Sequence, residues 1–180
     1  MPMINGVSVI SKETFMRIMG IDASTTCSGV AVIEDGKLIY HDAIDMKKNK
    51  DAEQRVKNMM SELGAIIKAY SPTAVYIEDS WNKQNIETTK MLSNLLGAVM
   101  YVCQDLGCEF TKLLPSAWRS LTGIKMVGKG GAHLKRTELK QEAVSKVKKN
   151  YKIDCGDDEA EAICIAEAGW LSQDSECLFE

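Results

Sequence analysis

The chain of 180 residues lacks the features that mark zinc-binding, secreted or membrane proteins. Its six cysteines form no Cys-x-x-Cys pair, and only two histidines accompany them, which argues against a zinc site. No apolar run approaches the roughly 18 residues needed to cross a bilayer. The first residues lack the basic start and long apolar stretch of a signal peptide. We therefore expect a cytosolic protein with no membrane contact and with reduced, mostly buried cysteines.

The charge is unevenly distributed along the chain, although the net charge is only −3. The segment from Lys112 to Lys152 contains eleven lysines and arginines and two acids, so it carries +9 and leaves −12 for the rest. Such a separation suits a protein that binds a polyanion such as a nucleic acid. A lysine-rich helix face in contact with solvent would give the same pattern, so the charge alone does not decide between the two.

The pattern of apolar residues predicts one α/β domain over residues 17–175, after an N-terminal arm formed by residues 1–16. Short apolar or alternating runs predict five strands: Arg17–Asp22, Gly29–Glu34, Lys37–Ile44, Ala74–Glu78 and Glu109–Leu114. Helical spacing predicts helices over 51–70, 86–106, 134–150 and 157–171, with a short helix starting at Pro115. The glycine-rich residues 123–133 are predicted to be a mobile loop. This order predicts a mixed five-stranded sheet flanked by helices.

Carboxylates stand where two predicted strands end and where the last helix begins. Asp22 closes the first strand and Glu78 closes the fourth, while Asp158 and Glu161 lie in the first turn of the last helix. A carboxylate at the end of a buried strand is costly to desolvate unless a cation lies beside it. Carboxylate oxygens are the ligands that Mg²⁺ prefers. These acids therefore predict a magnesium site, although each alone could be a solvated strand end or a helix cap.

Three segments together resemble the RuvC-type Holliday junction resolvases of the ribonuclease H-like superfamily. They are Gly20–Thr25, Ile77–Trp81 and Asp158–Ala162, and the likeness extends from about Arg17 to Gly169. The resemblance implies a ribonuclease H-like fold in which the four acids bind two Mg²⁺ ions, for which Mn²⁺ can substitute. It also implies hydrolysis of DNA at four-way junctions, leaving 5′-phosphate and 3′-hydroxyl ends. Symmetric cutting of two strands requires two related sites, and hence a homodimer.

The chain departs from the family pattern in ways that bear on the acids. The family usually has Asp at the last position, where this chain has Glu161. Asp157 competes with Asp158, because both lie on the helix face that carries Glu161. The spacing to Glu161 favours Asp158, which leaves Asp157 as a helix N-cap or a nearby acid. The acidic overall composition resembles the phage-borne branch of the family.

The resemblance also indicates residues that contact DNA. It places at Trp81 an aromatic side chain that stacks at the opened junction centre, although a core tryptophan is the alternative. Arg136, or alternatively Lys135, at the start of the basic helix, fits best the family's cation beside the metal ions. The predicted DNA-binding residues are Trp81, Arg119, Lys129, Lys135 and Arg136. The predicted helix 86–106 is the expected dimer surface, and its wide apolar stripe is expected to pack on the sheet as well.

Other functions share parts of this pattern. Residues 20–26 followed by 29–32 also resemble the phosphate-binding hairpin of actin-like kinases and ATPases. Those proteins need two such domains around a nucleotide, and 180 residues supply one. A relative without metal or activity, which only binds nucleic acid, is a further alternative. A ribonuclease H or a nuclease of other specificity stays open, because the same site cuts many nucleic acids.

Overall fold

The computed structural model describes residues 15–79, 85–128 and 130–177, with side chains up to residue 173. Residues 1–14 of the predicted arm, Trp81 and Lys129 lie outside the described residues. The strands form one mixed sheet in the order β3-β2-β1-β4-β5. They are β1 (Arg17–Asp22), β2 (Cys27–Glu34), β3 (Lys37–Asp45), β4 (Ala74–Glu78) and β5 (Glu109–Leu113). The first three strands pair antiparallel, and β1, β4 and β5 run parallel. The predicted α/β sheet is confirmed.

Helices cover both faces of the sheet. They are α1 (Ala52–Tyr70), α2 (Ile86–Leu106), α3 (Pro115–Leu121), α4 (Arg136–Tyr151) and α5 (Asp157–Cys177). Because alternate residues of a strand face opposite sides, Met19 and Ile21 of β1 pack with α1 and α2, whereas Ile18 packs with α5. Helix α4 packs on the outside of α5. Among the described residues, none of the helices is long and apolar enough to span a membrane.

Two glycines bring α5 unusually close to the sheet. A Cβ atom on Gly29 of β2 would lie 1.9 Å from the backbone oxygen of Asp158, and one on Gly20 of β1 would lie 2.3 Å from the backbone nitrogen of Ala166. Helix α5 presents small residues at this contact, with Ala162 packed in the same core. The close approach places the first turn of α5 directly beside the ends of β1 and β2.

The observed boundaries differ from the predicted ones by a few residues at most for the strands and for α1–α4, whereas α5 extends to Cys177. Residues 123–133 were predicted to be a mobile loop, and the structure describes all of them except Lys129. This segment forms a short hairpin, in which Val127 pairs with His133 and the backbone NH of Gly128 donates to the Ala132 oxygen at 2.8 Å. Gly130 and Gly131 adopt φ angles of 91° and 84°, which permit the tight turn. The glycines therefore shape a turn here.

Candidate active site

The two strand-end acids reach the same edge of the sheet. Strands β1 and β4 are parallel neighbours, with Ile21 opposite Ile77. Asp22 and Glu78 are the next residues of these two strands, so they lie side by side at the edge of the sheet. The first turn of α5 adds Asp158 and Glu161 beside them. Burial raises the pKa of Asp22 well above its usual value, and the charges of Glu161, Glu78 and Asp158 raise it further. The four predicted acids therefore lie together in one cluster, which we call the carboxylate cluster.

Asp22 lies at the centre of this cluster without a compensating contact. Its side chain is partly buried, and within the described residues no hydrogen bond or ion pair reaches its carboxylate. Lys140 acts on Asp22 only through its charge and lowers the pKa less than burial and the acids raise it. A partly buried carboxylate surrounded by acids is unfavourable unless a cation joins it. The site is therefore short of positive charge at Asp22.

The loop that follows Asp22 is fixed by hydrogen bonds. The Ser28 hydroxyl donates to the Ser24 oxygen at 2.7 Å and accepts from the Ser24 backbone NH at 2.9 Å. Arg55 of α1 donates to the Thr25 oxygen and to the Asn49 oxygen, both at 3.0 Å. These bonds tie the turn between β1 and β2 to the start of α1. They hold the backbone around Asp22 in place without using its carboxylate.

Glu78 is held by an indole that the sequence analysis did not single out. The Nε1–H of Trp118, on α3, donates to Glu78 Oε2 at 2.8 Å, and Trp118 is fully buried. The Arg119 guanidinium lies 3.9 Å from the same oxygen and packs over the Trp118 ring at 4.4 Å. Burial raises the pKa of Glu78, against the Trp118 hydrogen bond and the positive charges of Arg119 and Arg136, which lower it.

Glu161 is buried and contacts two cations. Arg119 donates to Glu161 Oε1 at 2.9 Å, and the Lys140 ammonium lies 3.6 Å from Oε2. Arg119 thus bridges Glu161 and Glu78, and among the described residues its Nε atom has no hydrogen-bond partner. Arg119 was predicted to bind DNA. Its guanidinium faces the carboxylates, and its contact with a phosphate stays a prediction.

The start of α5 places Asp157 and Asp158 around the same lysine. Lys140 Nζ lies 2.9 Å from Asp157 Oδ2 and 2.9 Å from Asp158 Oδ1. The hydrogen bond from Lys140 lowers the pKa of Asp157. Asp157 is the first residue of α5, so the alternative that it caps the helix from outside is wrong. Asp158 is among the acids that raise the pKa of Asp22, and Asp157 is not.

A thiol also lies within the cluster. Cys27, at the start of β2, is buried. Burial, together with the neighbouring Asp158 carboxylate, raises the pKa of Cys27 to about 12. The residue is therefore a neutral thiol at physiological pH. The carboxylate of Asp158 accepts a hydrogen bond from Lys140 and has this neutral thiol as a neighbour.

The side chains are compatible with a metal ion but do not form a ready site. In the part of the chain that the structure describes, no group of three or more His, Cys, Asp or Glu side chains is arranged to hold a metal. The oxygens of Asp158 and Glu161 instead contact Lys140 and Arg119. The donor set is nevertheless what Mg²⁺ binds, and Asp22 lacks a cation. The residues fit a divalent metal once the carboxylates rearrange.

The predicted DNA-binding residues lie beside the cluster where they are described. Lys135 directly precedes α4 and Arg136 is its first residue, and both side chains are exposed. The positive charge of Arg136 lowers the pKa of Glu78, so Arg136 is near enough to act on the cluster electrostatically. Lys140, one turn later, is the α4 residue that contacts the acids. In the sequence, Lys140 is distinguished only as one member of the basic segment.

The comparisons with known proteins agree with this geometry. The family model "Crossover junction endodeoxyribonuclease RuvC" matches residues 18–166. The protein of that name from Nitratidesulfovibrio vulgaris (strain DP4) is 26% identical over 151 residues, covering 82% of this chain and 88% of the relative. The protein from Geotalea uraniireducens (strain Rf4) is 28% identical over 164 residues, covering 87% and 92%.

Solved structures confirm the ribonuclease H-like fold. The structure of Thermus thermophilus RuvC in complex with a Holliday junction substrate superposes with a TM-score of 0.71 at 18% identity, covering 89% of this chain and 96% of that one. The yeast mitochondrial Holliday junction resolvase Ydc2 gives a TM-score of 0.53 at 17% identity, covering 89% and 79%. With the family model matching most of its length, the chain belongs to the RuvC family of crossover junction endodeoxyribonucleases.

Proposed function

We propose that this protein resolves four-way DNA junctions by metal-dependent hydrolysis of phosphodiester bonds. The observation that carries the proposal is the carboxylate cluster, in which Asp22 and Glu78 end parallel strands and α5 adds Asp158 and Glu161. The alternative of an actin-like kinase or ATPase is set aside, because the family match covers residues 18–166. The expected products carry 5′-phosphate and 3′-hydroxyl ends. The proposed setting is a bacterial cytosol, with a host-borne or phage-borne gene.

Each part of the cluster has a distinct task in this proposal. Asp22, Glu78, Asp158 and Glu161 would hold two Mg²⁺ ions, which Mn²⁺ can replace. When bound, such ions activate a water molecule and stabilise the leaving 3′ oxygen. Trp118 fixes one oxygen of Glu78, and Arg119 fixes one oxygen of Glu161. Arg136, which is exposed and whose charge acts on Glu78, would neutralise the phosphate that enters.

The homodimer is the second part of the proposal. A junction with two equivalent strands requires two active sites related by a two-fold axis. Helix α2 supports this, because it exposes Ile86, Met100 and Tyr101, which the helical period places within about 100° of one another around the helix. A groove beside it, between α2 and β5, is lined by Leu92, Leu96 and Phe110 among others. Apolar side chains exposed together on one helix are typical of a surface that a second copy covers.

The deciding experiment compares three substrates and one variant. A synthetic mobile four-way junction, a linear duplex and an RNA–DNA hybrid are incubated with Mg²⁺ and with the wild-type protein or Asp22→Asn. We expect paired nicks in the junction, little cleavage of the duplex and no activity of the variant. Cleavage of the hybrid alone, or equal cleavage by the Asp22→Asn protein, would contradict the proposal.

A further inference from the structure

Lys140 reaches into the carboxylate cluster from α4. Its ammonium lies 2.9 Å from Asp157 and Asp158 and 3.6 Å from Glu161, and its side chain is only 18% exposed. A lysine ammonium is strongly hydrated, so partial burial is unfavourable unless acids surround it. Here three acids do so, and they keep the side chain charged. One ammonium thus contacts two of the four proposed metal ligands.

The same oxygens cannot serve the ammonium and a metal ion equally well. Asp158 Oδ1 and Glu161 Oε2 face Lys140, and within the described residues the acids are not arranged to hold a metal. A divalent ion that binds these oxygens must therefore displace the ammonium. Asp157 offers a place for the displaced group, because it is 46% exposed and already contacts Lys140. The Lys140 side chain can turn outward and keep its ion pair with Asp157 while it gives up those with Asp158 and Glu161.

We propose that Lys140 is a tethered counter-ion that competes with the divalent metal for Asp158 and Glu161. It thereby sets the metal concentration at which the site becomes loaded. This role rests on the proposed function, because it takes these acids as metal ligands. It also explains why a second acid, Asp157, stands beside Asp158. When the metal binds, the ammonium keeps its ion pair with the exposed Asp157 and gives up those with Asp158 and Glu161.

A matched control is present on the same helix. Lys146 of α4 forms an ion pair with Glu167 of α5 at 2.9 Å, and its side chain is 17% exposed. The distance, the burial and the pair of helices are the same as for Lys140, but no member of the carboxylate cluster is involved. Substituting Lys146 therefore measures what the loss of a partly buried α4–α5 ion pair does by itself.

The experiment is calorimetric titration of the full-length, DNA-free protein with Mn²⁺. Wild type is compared with Lys140→Met, Lys140→Gln, Lys140→Arg and Lys146→Met, and circular dichroism checks the fold of each. Removing one positive charge within a few ångströms of the metal is expected to lower the Kd about tenfold or more. Lys140→Arg, which keeps the charge, and Lys146→Met should stay near the wild-type Kd. The second neutral variant, Lys140→Gln, guards against a folding defect in Lys140→Met.

The outcomes separate this inference from the proposed function. Mn²⁺ binding by wild type with an unchanged or higher Kd in both neutral Lys140 variants would overturn the role of Lys140 and leave the nuclease proposal standing. A decrease in the Kd of Lys146→Met as large as that of Lys140→Met would also overturn it, since the effect would then come from the loss of any α4–α5 ion pair. Absence of Mn²⁺ binding in every variant would overturn both. A lower Kd in Lys140→Met, together with an unchanged Kd in Lys146→Met, supports the inference.

Discussion

Replacing Trp118 with phenylalanine removes the hydrogen bond to Glu78 while keeping an aromatic ring in the same place. The indole N–H donates to Glu78 Oε2 at 2.8 Å in a buried environment. A hydrogen bond to a charged group contributes about 1.5–3 kcal/mol. The missing atoms of the indole cost roughly 1–2 kcal/mol more, at about 0.8 kcal/mol per buried CH₂. We therefore expect Trp118→Phe to lose about 3–5 kcal/mol of stability.

The same bond also affects when Glu78 is ionised. Burial already raises the pKa of Glu78, and the Trp118 hydrogen bond opposes this rise. Without the donor the pKa of Glu78 rises further, because one interaction that favours the ionised form is lost. Glu78 must be ionised to bind a metal. The acid limb of the activity profile should therefore move to higher pH in Trp118→Phe, and more Mg²⁺ should be needed at a given pH.

Two measurements test this reasoning. Thermal unfolding gives the stability, where each kcal/mol corresponds to roughly 2–4 °C for a chain of this size. Junction cleavage from acid to neutral pH, at several Mg²⁺ concentrations, gives the acid limb. Trp170→Phe is the control, because Trp170 packs near Gly36, away from the cluster. An acid limb and a Mg²⁺ dependence that are unchanged in Trp118→Phe, with only a loss of stability, would refute the role of the hydrogen bond.

Three further changes have defined outcomes. Asp22→Asn should stabilise the metal-free protein at neutral pH. The pKa of Asp22 is raised in the folded state, so the folded state favours the protonated form and loses stability as pH rises above 3.8. Thermal unfolding in EDTA should show that the stability gain vanishes below that pH, and a variant that is less stable at neutral pH would contradict this reasoning. Arg119→Met should lower the free energy of unfolding by about 3–5 kcal/mol, since it leaves Glu161 buried without its 2.9 Å partner. Denaturant titrations should show that adding Asp22→Asn to the same protein recovers part of this stability. An unchanged free energy of unfolding in Arg119→Met would show that Arg119 is dispensable. Tyr101→Glu on α2, a residue 70% exposed in the single chain, should produce monomers in sedimentation that retain Mn²⁺ binding, and a persisting dimer would move the interface elsewhere.

The sequence predicted the part of the site that depends on local pattern. Apolar runs that end in an acid located Asp22 and Glu78, and the observed ends of β1 and β4 are those predicted. A helix that begins with acids located Asp158 and Glu161. Asp22 and Glu78 meet because parallel neighbouring strands end at one edge, which follows from the order of elements. Burial of the strands and small residues on α5 then determine where that helix lies.

Trp118 and Lys140 could not be found in the same way. Trp118 lies 40 residues from its partner Glu78, and Lys140 lies 18 residues from Asp158. Their contacts depend on how α3 and α4 pack on α5, which no local spacing reveals. A tryptophan in a short helix and a lysine in a basic helix are common, so neither was distinctive. The missing signal was the deficit of positive charge around the acids, which some side chain of the basic segment had to reduce.

The two cations that reduce this deficit differ in how firmly they are held. Arg119 packs over Trp118 at 4.4 Å and contacts both Glu161 and Glu78, and its planar guanidinium suits such fixed, multiple contacts. Lys140 is a point charge on a flexible stem and has an exposed acid, Asp157, as an alternative partner. The cation beside Glu78 is therefore held rigidly, whereas the cation beside Asp158 can be exchanged for another. Among the described residues neither cation contacts Asp22, so a metal ion held by Asp22 and Asp158, as proposed, would displace the lysine and leave the contacts of Arg119 with Glu161 and Glu78 in place.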